Sequence, residues 1–476
     1  MNVKLKVFLP AIASIFCFAL ETSALSEKVY FPEPSLELEV SRTLGVSPEE
    51  ITKTLLEDKL KILNVNDSKI KDLRGLEFAS NLEILVLRNN LINDLSPIRG
   101  LKKLQKLDLA GNRLTDLKSL GAKTIASTDE LSLMGLTHLN LSGNKLRGLA
   151  GVENFPRLQS LNVSGNSLVD LHGISKLSVI ASLNASDNQL GFVESYEDIN
   201  RNKVYDEGEP FSDVSGNGKR DSDPLNELNS LNSLMYLQLN GNLINNIDSM
   251  SNLDSLKVLL LSGNQISSVN GLSSFIALEK LTLNDNRISD LSGIGSLKNL
   301  NFLSMSENRI CDLRELSQLL KIKELHVQYN HVYNIKSLSN LQNLRSLYLS
   351  HNLIRDFSFI KQLKSLQTLN LRSNCIYDEN KLDQFAGYLK TRNISHSLLG
   401  QRESQPDLEA LVETLYSSSS ANIEFGEFLA LNNYQRFVDF INSRSFDEKV
   451  KSEFYKKWTF ALLNDRDLNE AGFPKG

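Results

Sequence analysis

Between Asp198 and Asp221 the sequence places oxygen-bearing side chains at alternate positions. In a twelve-residue frame beginning at Asp198, the side chains of Asn200, Asn202, Asp206 and Glu209 fall at positions 3, 5, 9 and 12, and Val204 at position 7 offers its carbonyl oxygen. Fifteen residues further on, Asp213, Ser215, Asn217, Lys219 and Asp221 repeat the alternation. A hard divalent cation such as calcium takes about six to eight oxygens, and alternate side chains on a tight loop bring them to one point. The first frame has the glutamate that can bind through both oxygens, but Lys203 stands where a turn glycine is expected. The second has Gly218, yet Pro224 ends it and leaves Asp223 as a poor substitute. The recurring spacing reads as calcium loops; an ordinary solvated acidic loop is the plainer alternative.

No other constellation points to a reaction. The six histidines, among them His138, His326 and His351, occur singly, and no H-E-x-x-H, G-x-S-x-G, G-x-x-x-x-G-K-S/T or C-x-x-C is present. The chain therefore reads as a binding protein and not an enzyme. Its net charge of −5 comes from 52 basic and 57 acidic residues with no strongly basic stripe, so nucleic acid is not an expected partner.

The elements that must position these residues follow from internal repetition. L-x-x-L-x-L-x-x-N-x-I/L begins at Leu60, Leu82, Leu104, Leu136, Leu158, Ile180, Leu234, Leu256, Leu278, Leu300, Ile322, Leu344 and Leu366, and from Leu234 onward the step is 22 residues. Counting each first leucine as offset 0, apolar residues at offsets 0, 3 and 5 point inward from a short strand. Each unit can bury them only against its neighbours. Twelve asparagines, from Asn90 and Asn112 to Asn352 and Asn374, stand at offset 8, where the chain leaves the strand. There an amide can donate to and accept from backbone groups that the turn leaves unpaired. Ser68 replaces asparagine in the first unit. Asp72, Asp94, Asp116, Asp170, Asp290, Asp312, Asp356 and Asp378 recur at offset 12 and suit the N-cap of a short helical turn.

This unit is the leucine-rich-repeat signature, and with the preceding segment it resembles the bacterial internalin-like branch. That segment runs from Val29-Tyr30-Phe31-Pro32 through Leu36 to Val40 and Ile51 to Leu56, and reads as a helical cap. The resemblance covers roughly residues 27–400. It implies an α/β solenoid, a horseshoe with a parallel concave sheet, and extracellular or envelope protein binding. The chain departs from surface internalins in showing no L-P-x-T-G motif and in carrying two insertions, Gly121–Glu130 and about 191–230. The second insertion resembles the tandem calcium loops of bacterial exported proteins. The 22-residue period is also similar to that of intracellular phosphatase-regulatory repeat proteins. Repeat proteins with a ubiquitin-ligase domain need a C-terminal catalytic cysteine, and none follows Cys375.

Side chains at offsets 2, 4 and 6 face outward from the strands. In the middle repeats they are small and polar, as in Ser160, Asn162, Ser164, Ser182, Asn184 and Ser186. Later they become Tyr236, Val258, Leu260, Phe302, His326 and Tyr348, with Tyr329 beside them. Aromatic and aliphatic residues on a rigid sheet compose a protein-binding patch, although scattered surface apolar residues are common. A passive envelope scaffold is the competing reading.

The ends are distinct. Lys4 and Lys6, an apolar run from Val7 to Leu20 and the small-residue site Thr22-Ser23-Ala24 form a signal segment over residues 1–24, shorter than a spanning helix. The expected location is periplasmic or secreted, with no transmembrane segment after cleavage. Cys311 and Cys375 lie about three repeats apart, roughly 14 Å at the spacing of stacked strands, too far for a disulfide. Beyond Gly400 the repeat stops, and residues 401–476 show helical spacing at Leu408, Leu411, Val412 and Leu415, at Tyr434, Phe437, Val438 and Ile441, and at Val450, Phe454, Trp458 and Leu462. Ser445 and Glu448 would box the last helix. The sequence is silent on oligomeric state. N-terminal sequencing of the exported protein should find a start near Leu25; cytoplasmic protein retaining Met1 would overturn this.

Overall fold

The computed structural model describes residues 27–121, 133–192, 197, 199, 209–212, 225–376 and 378–401. The signal segment, all but the first residue of the Gly121–Glu130 insertion, most of the acidic insertion and the C-terminal helical region lie outside the described residues. The chain divides into two compact units, the first reaching Leu146 and including Ala150–Leu158, the second comprising Arg147–Leu149 and the chain from Gln159.

The first unit opens with α1 (Pro34–Leu44) and α2 (Lys53–Lys59). Proline starts α1, Gly45 ends it in a left-handed conformation, and Leu36 and Val40 face inward. Thr52 caps α2 through its side chain. Glu33 ties this cap to the first repeat, its Oε1 accepting from the backbone N–H groups of Lys71 and Asp72 at 3.1 and 3.3 Å. Phe31 lies under Gly75 (φ 103°), where an added Cβ would come within 2.6 Å of the ring. Strands β1 (Ile62–Asn64), β2 (Ile84–Val86), β3 (Lys106–Asp108) and β4 (His138–Asn140) pair in parallel and in sequence order, and a single turn, α3 (Lys118–Gly121), follows β3.

The second unit continues the pattern through β5 (Ser160–Asn162), β6 (Ser182–Asn184), β7 (Tyr236–Gln238), β8 (Val258–Leu260), β9 (Lys280–Thr282), β10 (Phe302–Ser304), β11 (Glu324–His326), β12 (Ser346–Tyr348) and β13 (Thr368–Asn370). From β7 each residue pairs with the one 22 positions on, as Lys280 with Phe302 and Phe302 with Glu324, so the sequence period is the sheet register. β6 and β7 hold the same register, Ser182 opposite Tyr236, across the long insertion. Leu278, Leu281 and Leu283 are fully buried, as are their counterparts in neighbouring repeats. Cys311 and Cys375 are buried free thiols.

The asparagines bind the units to one another. The Nδ2 of Asn286 donates to the carbonyl of Leu283 in its own repeat at 3.1 Å and to Leu261 of the preceding repeat at 3.0 Å, while its Oδ1 accepts from Ile266 N–H at 2.9 Å. Asn112, Asn264, Asn308, Asn330, Asn352 and Asn374 repeat this arrangement. The offset 12 aspartates act differently from the cap expected of them. Asp94, Asp290 and Asp356 accept from the N–H two residues on, at 2.9 Å each, and the turns that follow are short 3-10 helices. Ahead of two of these helices, Leu95 and Phe357 occupy the cap position itself. The aspartate therefore closes a local turn ahead of the cap, one residue before it at Asp94 and Asp356 and three before it at Asp290, which suits a tight 3-10 segment. Asp378 alone among these caps a full helix, α4 (Glu379–Thr391), accepting from Lys381 N–H.

A fourteenth strand, β14 (Ser395–Ser397), pairs with β13 beyond the thirteen repeats legible in sequence. Gln401 occupies its offset 8 position. Its Nε2 donates to Leu398 and Leu371 carbonyls at 2.8 and 3.0 Å, and its Oε1 accepts from Asn374 N–H at 3.1 Å. A glutamine thus ends the asparagine series.

Replacing Asn286 with Ala should leave the buried Ile266 N–H without its acceptor and remove one of two amide donors from each of the Leu261 and Leu283 carbonyls, costing about 2 kcal/mol locally. Native-state hydrogen exchange on the full chain should show Ile266 N–H losing protection; unchanged exchange there would refute the role assigned to the amide.

Candidate functional site

Alternation along each strand buries the central leucine and presents its two neighbours on the outer face. The first unit carries charge there, Arg88 donating to Asp108 at 2.7 Å, a bond that raises the affinity of the guanidinium for its proton. On the second unit the face changes composition along the chain. Tyr236 lies opposite Val258, and Leu260 stands two residues further along β8, forming a first apolar group. Lys280 and Thr282 of β9 separate it from the aromatic residues that follow.

Those residues form a diagonal column. The Lys280 ammonium sits 4.8 Å from the centre of the Phe302 ring, Phe302 lies 5.5 Å from His326, and His326 stacks on Tyr348 at 4.3 Å with 16° between planes. Register explains the contact, because Ser304 and His326 are paired, as are His326 and Tyr348. The imidazole is held at both nitrogens. Its Nε2 meets Glu324 Oε1 at 2.7 Å, and Gln328 Nε2 approaches Nδ1 at 3.4 Å. Gln328 is in turn fixed by the Ser306 hydroxyl at 2.7 Å. A cation over one ring and a carboxylate on the next pre-set the rotamers of an otherwise exposed surface, lowering the entropy lost when a partner covers it.

Tyr329 does not join this column. It stacks on His351 at 4.2 Å and 7° between planes, both residues standing at offset 7, just ahead of the ladder asparagine. The backbone there is left-handed, with φ 54° and 58°. Gly111, Gly143, Gly241 and Gly263 fill the same position in other repeats, and Asn89, Asp187 and Asp285 fill it elsewhere. Those residue types accept such φ values at little cost, and Glu307 and Ser373 take the same backbone in their repeats, so the left-handed turn is a constraint of the repeat that Tyr329 and His351 share. Lys280, Glu324, Gln328 and His351 were not singled out from sequence. Reading columns across repeats at constant offset would have found them, since His351 stands 22 residues after Tyr329.

Of the cation-loop candidates, only Glu209 is among the described residues; Asp198, Asn200, Asn202, Val204, Asp206, Asp213, Ser215, Asn217, Lys219 and Asp221 lie outside them. Glu209 is 7% exposed, and its Oε1 accepts from Ile199 N–H at 3.0 Å. Glu197 N–H donates to the Pro210 carbonyl at 2.8 Å, drawing the ends of the first frame together.

The family model for leucine-rich repeats in two copies matches residues 80–122, 254–296, 276–318, 320–362 and 342–388. Across these segments the chain carries leucine-rich repeats. It is similar in structure to an internalin (InlF) from Listeria monocytogenes, with a TM-score of 0.65 and 25% identity over 80% of this chain and 100% of that one. The functional domain of InlJ from the same organism gives 0.51 and 20%, over 73% and 75% of the two chains. A plant peptide hormone receptor, RGFR1, in complex with RGF2 gives 0.52 and 20%, over 73% and 56%. The leucine-rich-repeat build is thus internalin-like. No curated protein matches the chain significantly. Among the described residues no helix is long and apolar enough to cross a membrane.

Proposed function

We propose that this leucine-rich-repeat protein is exported, performs no catalysis of its own, and holds a protein partner on the outer face of the strands from β7 to β12. The observation that supports this reading is the ordered column of Lys280, Phe302, His326 and Tyr348. Aromatic side chains on a rigid support, already fixed by their neighbours, supply most of the binding energy in protein interfaces. Tyr236, Val258 and Leu260 extend the contact beyond β9, and Tyr329 adds a further exposed ring.

Calcium belongs to the same reading. The bonds from Glu197 N–H to the Pro210 carbonyl and from Ile199 N–H to Glu209 support it, because a twelve-residue cation loop needs its ends held together. The ion would be held by Asp198, Asn200, Asn202, Val204, Asp206 and Glu209, with the second frame from Asp213 to Asp221 supplying another set of oxygens. It would bridge carboxylates that otherwise repel one another.

Two outcomes follow. Replacing Phe302 and Tyr348 together with Ala should weaken capture of the partner by more than about 2 kcal/mol while the urea midpoint stays near that of the parent, because neither ring lies in the core. Unchanged affinity in a pull-down from the exporting cell would count against the face. Limited proteolysis should cut between Glu194 and Asp223 in chelator and spare that stretch in millimolar calcium, with magnesium a poor substitute. Asp198→Ala with Glu209→Ala should abolish the protection. Equal cleavage under both conditions, with no heat of calcium binding, would leave the insertion an ordinary loop.

A further inference from the structure

One backbone donor on the strand face is taken up again and again, the N–H at offset 6. In five repeats the offset 4 side chain of the same unit accepts from it, Asp108, Asn140, Asn162, Asn184 and Asn370 doing so at 3.0–3.1 Å. Where offset 4 carries no such group, the offset 6 side chain of the preceding repeat accepts instead. Asn66 reaches Arg88 N–H, Asn240 reaches Ser262 N–H and Asn284 reaches Ser306 N–H, each at 2.8 Å, and the Ser262 hydroxyl reaches Asn284 N–H at 3.2 Å. Offsets 4 and 6 both face outward, so the donor is approached from the strand face.

The two repeats that carry the His326–Tyr348 stack break this rule. Among the described residues, neither Gln328 N–H nor Ser350 N–H meets an acceptor. The surrounding side chains explain why. His326 and Tyr348 occupy offset 4 and stack on one another where an Asn or Asp would stand. The Ser306 hydroxyl, placed like the Ser262 hydroxyl, donates to Gln328 Oε1 and caps no N–H. The Gln328 amide is thereby held between Ser306 and His326 and does not reach forward to Ser350. Tyr329 N–H donates to the Ser350 carbonyl at 3.0 Å, so the two open donors lie on paired segments about 5 Å apart. Ser350 is 6% exposed, and a shielded backbone donor without a partner is rare in native folds. The offset 6 N–H also lacks an acceptor at Asn66, which has no repeat before it, and at Asn240, which follows the long insertion. Only Gln328 and Ser350 leave it open in successive repeats.

We propose that Gln328 N–H and Ser350 N–H form a recognition site for a carboxamide side chain of the partner, an Asn or Gln whose oxygen stands where the chain's own asparagines stand in other repeats. Asparagine takes this donor elsewhere in every case but Asp108 and Ser262. Asp108 does so with Arg88 bound to its second oxygen. Beside Gln328 the charged group is Glu324, bound to the same imidazole, and it repels a second carboxylate while tolerating a neutral amide. The inference rests on the strand face being the binding surface, and it adds which partner side chain that face reads.

The test pans the immobilised full chain against phage-displayed random short peptides. Enriched sequences should share an Asn or Gln, and replacing it with Ala or Asp in the synthetic peptide should weaken binding to the parent about tenfold. Gln328→Asn should set a carboxamide on Ser350 N–H, as Asn284 does on Ser306, and Ser306→Asn should do the same for Gln328 N–H. Each should hold or raise the urea midpoint and slow hydrogen exchange at the N–H it fills. The variant that fills the donor in use should bind the peptide about tenfold more weakly and no longer tell it from its Ala version. Gln328→Met leaves Ser350 N–H open and should still tell the two peptides apart. Enriched peptides without Asn or Gln, an Asp version that binds as well, or a carboxamide preference that survives both filling variants overturns the proposal. No enrichment, with partner capture still dependent on Phe302 and Tyr348, overturns this site and leaves the binding face standing.

Discussion

Everything in this protein depends on a buried amide that serves two repeats at once. A short strand followed by a sharp turn leaves backbone carbonyls and N–H groups inside the core with nowhere to donate or accept, and such groups are costly when unpaired. The offset 8 asparagine resolves this by donating to one carbonyl of its own repeat and one of the repeat before, and by accepting from an N–H of that earlier repeat. The leucines provide most of the burial, but they would tolerate some sliding. The amide does not, because two of its bonds reach the preceding repeat and are made only when adjacent units are in register. Gln401 makes the same backward connection with a longer side chain, so the series closes on a residue of the same chemistry.

The amide also dictates what its neighbour can be. To turn the chain out of the strand, the residue just before it adopts a left-handed backbone, which explains the glycines, asparagines and aspartates at offset 7. Glu307, Tyr329, His351 and Ser373 take the same backbone in repeats ten to thirteen, so the Tyr329–His351 stack is placed by the same turn that locks the core. A surface ring stack and the core ladder thus occupy adjacent residues, Tyr329 beside Asn330 and His351 beside Asn352.

The repeat was legible in sequence because its period is both a pattern of leucines and a physical register, and Leu281 or Asn286 can be assigned a role from spacing alone. Other features were hidden for definite reasons. β14 and Gln401 were invisible because α4 lengthens the last step, and because Asn393 and His396 replace apolar residues at offsets 0 and 3. The aspartates at offset 12 were recognised as turn residues but placed at the cap, whereas the structure sets them one or three residues ahead of it, since a motif count does not distinguish a 3-10 turn from an α-helical one. At the candidate surface, offsets revealed which side chains face outward, including Phe302 and Tyr348. They did not reveal that His326 would be clasped by Glu324 and Gln328, a matter of side-chain rotamers within one repeat, or that Tyr329 would pair with His351, a contact between repeats.

The amide bonds of Asn242 reach Ala185 and Leu190 with the geometry seen elsewhere, although the 32-residue excess of the acidic insertion intervenes in the chain. Both insertions in this protein begin after offset 10, past the last position that the ladder engages. The rear of each unit is therefore uncoupled from its front: foreign sequence can be spliced there without shifting the phase of the strands. Such a scaffold can acquire or exchange whole accessory modules over generations while its strand face stays unaltered, and the same junctions, near Gly121 and Gly191, are where a designer would graft a reporter or a separate functional element.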